Sequence, residues 1–412
     1  MIRKRITLFM SAAIVLMSYA GIATAAAKLP SDTTQIKIIE MGTGTGADLT
    51  IDGRRSNPGC GVVYRIKEGR YNAIHIKNIK STDGCPVRVE NTGMVEVGRI
   101  TLVDLDGVVI SGDGSPSTHK GFRFKDNDYR AIQLFGIINN VTLQHMSFIN
   151  IADFVIFYDT ERLYDGTDAS ISKNLRFLHM DCENTGSFLV INGSVRQGNF
   201  YGVVQGIEIA HLHFKNSAYV GQVVYLGNAE DYDIHHNIVT DINSDRTNHN
   251  GVYHLMGHGK FYNNRTTNHQ GNVVRAWLYG VTKRGVVEIF NNIAYNSTRY
   301  GAFELQVPEA MYREFRDFLP SDAKIYSNTV GRLNTGIPKY FEGRLLDLYN
   351  IGGGTVEIFN NLSFDLRDDV LINNMSDTPI LRNEGNKYIH STREAVENTQ
   401  TFKSKITGVG AQ

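Results

Sequence analysis

Between residues 131 and 365 the chain repeats one arrangement: two short runs of alternating apolar and polar residues, each closed by polar turn residues. Alternation with period two puts successive side chains on opposite faces of an extended strand, and so predicts β-structure buried on one face. One run recurs as VTLQHMSFIN (141–150), LRFLHMDCEN (175–184), IEIAHLHFKN (207–216), KFYNNRTTN (260–268), VEIFNNIAYN (287–296), AKIYSNTVGRLN (323–334) and VEIFNNLSFD (356–365). Aligned on its last inward apolar residue, the position two places on reads His145, His179, His211, His236, Asn263, Asn291, Ser327 and Asn360. Seven places on come Asn150, Asn184, Asn216, Asp241, Asn268, Asn296, Arg332 and Asp365, with Arg332 alone out of character.

Copies follow one another at intervals of roughly 25 to 36 residues, the period of a solenoid of β-coils. Coils stack about 4.8 Å apart, so like side chains form columns along the axis. The Asn column is expected to be a ladder of amides that satisfies turn backbone. The run before each motif stacks in the same way: AIQLF (131–135), FVIFY (154–158), FLVIN (188–192), VVYLG (223–227), VYHLM (252–256), VRAWL (274–278), FELQV (303–307) and LLDLY (345–349). Alternation assigns Val224, Leu226, Tyr253, Leu255, Val274, Ala276, Phe303, Leu305, Leu346 and Leu348 inward. The outward face then shows Gln133, Ile156 and Val190 in the early coils, and Tyr225, His254, Arg275, Glu304 and Asp347 later, with Trp277, Gln306 and Tyr349 alongside. Burying such charges is costly, so this face is expected to meet solvent.

With its NNI and NNL turns, Asn columns and coil length, the chain resembles the right-handed parallel β-helix superfamily, the pectate-lyase-like fold, over roughly residues 35–390. The resemblance implies an all-β, single-stranded right-handed parallel β-helix with loop insertions. It implies no single activity, because the superfamily holds polysaccharide lyases, glycoside hydrolases, epimerases, phage tailspikes and adhesins. The WiDH-type motif of pectate lyases is missing, since Trp277 is followed by Leu278 and Tyr279. Catalytic residues are therefore sought on the outward face and not carried over from a family.

Composition agrees with many turns and few long helices: 40 glycines, 8 prolines and abundant β-branched residues. The first 27 residues, with Arg3, Lys4 and Arg5 ahead of an apolar run and an Ala-rich end, read as a signal peptide, so a secreted or periplasmic protein is expected. Residues 28–390 form the expected β-helix domain, and 391–412 a polar C-terminal tail or cap. Lys plus Arg and Asp plus Glu both number 42, a balance that does not point to nucleic acid. Cys60 and Cys85 lie one coil apart and are the expected disulfide, with Cys182 buried. No later segment has the roughly 18 apolar residues of a membrane span.

The stretch 248–280 holds His249, His254, His258 and His269 and the sole tryptophan. The four-residue spacing of His254 and His258 would suit zinc on a helix, but here it falls on a strand ending in a tight turn, so no zinc site is expected. GHG (257–259) matches a fragment of the polygalacturonase pattern without its other pieces, and His258 reads as a turn residue. His249 and His269 read as turn residues beside the outward face. An insertion at 306–323 carries Met311, Phe315 and Phe318 at helical spacing, and the loop 334–344 is a candidate wall.

A groove with aromatics and charges suits a polysaccharide. Arg275, with Lys283, Arg284, Arg299 and Arg313 at nearby coil edges, would meet uronate or sulfate groups. The leading expectation is β-elimination: Arg275 neutralises the carboxylate, His254 removes the α-proton, and Tyr225 protonates the leaving oxygen. Glu304 and Asp347 would orient His254 or hold a Ca2+; Trp277, Gln306, Asp347 and Tyr349 would bind substrate. The alternatives are a glycoside hydrolase using Glu304 and Asp347, and a non-catalytic carbohydrate-binding or adhesive solenoid. A monomer is expected.

Overall fold

The computed structural model describes residues 36–412 except 57, 82–83, 245–249, 310, 312–317 and 338–340. The expected signal peptide, His249, Arg313 and Phe315 lie outside the described residues. The described chain is a right-handed parallel β-helix: the strands of the coils pair in parallel with their counterparts one coil before and one coil after. Among the described strand pairs only the Ser194–Arg196 with Asn199–Tyr201 hairpin and the Leu319–Pro320 contact with Tyr279 and Gly280 are antiparallel. Val286–Phe290 pairs with Asp322–Tyr326, which pairs in turn with Val356–Phe359.

The two aligned columns are the corners of the coil. Every residue of the first lies in the left-handed region at φ of 53–58°, and every residue of the second at 48–64°. A Cβ makes that conformation costly, least so for Asn, Asp and His, and apart from Ser327 and Arg332 the columns are made of those residues. Arg332 adopts it too, at φ 48°. In the early coils the first column becomes a stack of imidazoles, with centroids 4.7, 4.6 and 5.4 Å apart from His145 through His179 and His211 to His236.

The continuous amide ladder stands one residue beyond the first column and is buried over most of its length. It runs through Asn237, Asn264, Asn292, Asn328, Asn361 and Asn386, each Nδ2 donating to the next Oδ1 at 2.8–3.2 Å. These amides also bond turn backbone, as Asn292 Nδ2 does by donating to Phe261 O at 2.9 Å. The expected outer ladder is interrupted: Asn184 donates to Asn150 and Asn296 to Asn268, whereas Asn216 donates to Glu183.

All ten residues assigned inward in the mid-chain runs are fully buried. Cys60 and Cys85 are joined, with Cα atoms 5.2 Å apart, and Cys182 is free and buried. Of the 306–323 insertion, Met311 is buried and Phe318 packs against the core. The tail folds back along the solenoid: Phe402 packs on Tyr295, and Gly410 N donates to Asn360 O.

His258 departs from expectation. It lies within one strand, Gly251–Tyr262, and is buried near Glu230, 3.7 Å from that carboxylate. The chain bends there without a turn. Gly257 and Gly259 have φ of 134° and 155°, and a Cβ on either would strike the backbone of Ala229 or Tyr232. His269 is likewise fully enclosed, its Nδ1 3.1 Å from Gly271 O.

Candidate active site

The outward residues form one row in strict register. Tyr225 pairs with His254, His254 with Arg275, Arg275 with Glu304, Glu304 with Asp347, and Asp347 with Asn373. Trp277 and Gln306 are partners one step along the strand. Toward the N-terminus the row continues through Val190, Phe157 and Gln133. Phe157 takes the place expected of Ile156, which faces the core. The run FVIFY is apolar throughout, so alternation left its phase unmarked.

The expectation that this face meets solvent fails in the C-terminal half. His254 is 7 % exposed, while Glu304 and Asp347 are 0 % exposed. Residues of the 334–344 loop lie over them: Gly343 N donates to Asp347 Oδ2 at 3.1 Å, and Tyr349 Oη donates to Glu342 Oε1 at 2.5 Å. Gly301 is also pressed against this cluster, where a Cβ would lie 2.7 Å from Asp347 Oδ2.

Burial of Glu304 is offset by hydrogen bonds, as a buried carboxylate requires. Asn272 Nδ2 donates to its Oε2 at 2.5 Å; Arg275 Nε and Gln306 Nε2 donate to its Oε1 at 2.9 and 2.6 Å. Glu304 therefore holds Arg275 and does not bond His254. Asp347 accepts from Gly343 and, at 3.3 Å, from Asn373 Nδ2. Burial, with Glu342 and Glu304 nearby, pushes its carboxyl up to about 7.

His254 has a different orienter from either carboxylate expected. Its Nδ1 lies 3.0 Å from the side-chain nitrogen of Gln222, and its Nε2 is buried without a protein hydrogen-bond partner. Tyr225 and Trp277 meet the imidazole edge-on, with centroids 5.2 and 5.0 Å away. Burial and the Arg275 charge lower His254 to about 4, so the ring is neutral at physiological pH. Trp277 Nε1 is also buried without a protein partner. Tyr225 Oη rests 3.3 Å from Met256 Sδ, and burial raises its pKa.

Of the other cations suggested by sequence, Lys283 is paired with Asp231 at 2.6 Å and Arg284 with Asp322 at 3.1 Å. The residues suggested for Ca2+ do not fit the ion. Both oxygens of Glu304 are engaged by nitrogen donors, Asp347 holds a proton to about pH 7, and among the described residues no group of three His, Cys, Asp or Glu side chains could hold a metal.

Gln222, Asn272 and Glu342 were missed by sequence reasoning. The first two had a signal: Gln222 stands three residues before Tyr225 and Asn272 three before Arg275. Extending the alignment three residues upstream gives a column that borders the row and carries its hydrogen-bond partners.

No protein-family model and no curated protein matches the chain. Among solved structures, pectate lyase Pel9A is similar over 89 % of each chain, with 11 % identity and a TM-score of 0.40. The PL6 family polysaccharide lyase Pedsa3628 from Pseudopedobacter saltans is similar over 88 % of this chain and 98 % of its own, with 10 % identity and a TM-score of 0.36.

Proposed function

We propose that this protein is a polysaccharide lyase that cleaves a uronic-acid-containing chain by β-elimination at the His254–Arg275 pair. One observation carries the reading. A neutral imidazole with an unpartnered, buried Nε2 stands one coil from an arginine held in place by a fully buried carboxylate.

Elimination needs the α-proton of a uronate acidified and then removed. Arg275, fixed through Nε by Glu304, meets the uronate carboxylate, whose charge it offsets as the carbanion develops. His254 takes the proton on Nε2. That task requires a lone pair on Nε2 and hence a proton on Nδ1, which Gln222 stabilises by turning its amide oxygen toward the ring. Tyr225 supplies the proton to the leaving oxygen; its raised pKa keeps the phenol protonated in the resting site.

Hydrolysis by Glu304 and Asp347 is disfavoured because both Glu304 oxygens already accept from Asn272, Arg275 and Gln306, and both Asp347 oxygens from Gly343 and Asn373. Export through the N-terminal segment belongs to the same proposal, and the Cys60–Cys85 bridge suits an oxidising compartment. The deciding experiment incubates purified protein with uronate polymers, following the ultraviolet absorbance of the unsaturated product together with new reducing ends. Both signals should rise for a lyase, and both should be lost in His254→Ala and Arg275→Ala. Reducing ends without absorbance would overturn elimination, and silence in both assays would leave a binding solenoid.

A further inference from the structure

The site does not stop at His254. A cavity of about 560 Å³ opens beside the N-terminal half of the row. Its walls include Asp153, Phe154, Thr185, Ser187 and Tyr219, and it reaches Gln222, the residue on the His254 ring. From the coil of His254 back to that of Phe157 is three steps, about 14 Å along the axis, which is length enough for more than one sugar ring.

The character of this extension is unlike that of the catalytic end. Asp153 is the sole charged residue among the described residues that line it, and Arg130 already meets it at 3.1 Å. The Arg130 guanidinium is in turn held flat, 3.7 Å from the Phe157 ring centroid and 5.4 Å from that of Phe154. Among the described residues no uncommitted cation lines the cavity to receive a carboxylate, and a uronate placed there would face Asp153. Hydroxyl groups and an aromatic platform are present instead, since Tyr219 is 67 % exposed at the rim. Along the row itself, the half-buried Val190 offers apolar surface, while Arg130 covers the ring of Phe157. Such a surface receives the C–H face of an uncharged sugar, with Asp153 and Ser187 available to its hydroxyls.

We propose that the substrate is a heteropolysaccharide: the uronate sits at Arg275, and neutral sugars of the same chain fill the cavity between Gln222 and Asp153. The identity of the acidic position rests on the lyase reading; the neutrality of the cavity does not. Calorimetry with the full chain would compare a homopolyuronate, an alternating uronate–neutral hexose polymer and a neutral glucan. The alternating polymer should bind about tenfold tighter than the homopolyuronate, the scale of one good ring-stacking contact. Tyr219→Ala should erase most of that advantage, with the loss in KM and not in kcat where turnover is measurable, and Tyr219→Phe should restore it. Tyr219 is exposed, so neither variant threatens the fold.

Equal or tighter binding of the homopolyuronate would overturn the inference, as would an alternating polymer indifferent to Tyr219→Ala. Absence of unsaturated product from every polymer would sink the lyase reading alone, because the binding comparison would still report what the cavity accepts.

Discussion

The two halves of the outward row share one backbone and differ almost completely in chemistry. From Gln133 to Val190 the row carries no ionised side chain, and Arg130 beside it is engaged by Asp153 and by the rings of Tyr129, Phe154 and Phe157. From Tyr225 to Asp347 it carries an imidazole, a guanidinium and two carboxyls in consecutive coils, most of them buried. The inward partners are apolar in both halves, so the scaffold sees no difference. The candidate chemistry stands on the face turned away from the core, and the cost of burying it is met locally by Asn272, Gln306, Gly343 and Asn373.

The largest expected effect comes from erasing the charged half. His254→Ala and Arg275→Ala should each lower kcat by about 10²- to 10³-fold, within the range of a lost general base or a lost electrostatic anchor. Thermal unfolding should separate them: His254→Ala removes only an imidazole, whereas Arg275→Ala strands Glu304 without its charge partner and should lower stability. The acid limb of kcat/KM in the wild-type protein should fall near pH 4, where His254 titrates. A limb near the ordinary histidine value would remove His254 from the role of base.

Gln222 tests whether the difference extends to the bordering column. Gln222→Leu leaves His254 Nδ1 without a partner and should cost about tenfold in kcat, comparable to the 1–3 kcal/mol of an unmet buried polar atom. Gln222→Glu supplies a fixed acceptor for Nδ1–H, so activity should be retained while the acid limb moves upward. If Leu and Glu behave alike in both rate and pH profile, Gln222 is packing and not an orienter.

How much of this was legible depended on whether a position announced its face. The corner columns were readable because left-handed backbone selects Asn, Asp and His, and the mid-chain row was readable because Tyr225, His254, Arg275, Glu304 and Asp347 each stand between apolar neighbours. FVIFY offered no polar residue to set its phase, and the register slipped there by one. Burial of Glu304 and Asp347 was not legible, because the chain that covers them returns from the loop at 334–344 through backbone and Glu342 contacts that no periodicity records. The inner ladder was half legible: the paired asparagines were visible, but the left-handed corner and the bonded amide are different members of each pair.

Asp347 allows the cost of the charged half to be measured. Its carboxyl titrates near 7 in the folded protein and near 3.8 when unperturbed, so between those values the native state holds a proton that the unfolded chain releases. Unfolding free energy attributable to Asp347 therefore falls as pH rises through that window, by roughly 2–4 kcal/mol in total. Asp347→Asn removes the titration, and its stability relative to wild type should climb between pH 4 and pH 7 and then level. A difference independent of pH would mean that Asp347 is ionised in the fold.

The smallest expected effect comes from making the neutral half resemble the charged one. Val190 stands in register between Phe157 and Tyr225 and is only partly buried, so Val190→Arg can direct its guanidinium outward with little disturbance to the core. The new cation would lie three coils from Arg275, about 14 Å along the axis. Partly solvated, it should contribute no more than about 0.6 kcal/mol to a passing carboxylate, or about threefold in KM for a homopolyuronate. For a polymer with neutral sugars at that position the same change should give nothing, and raising the salt concentration should abolish the gain. A gain on both polymers would show that acidic sugars already pass over Val190, and the contrast between the halves would then be one of catalysis and not of substrate charge.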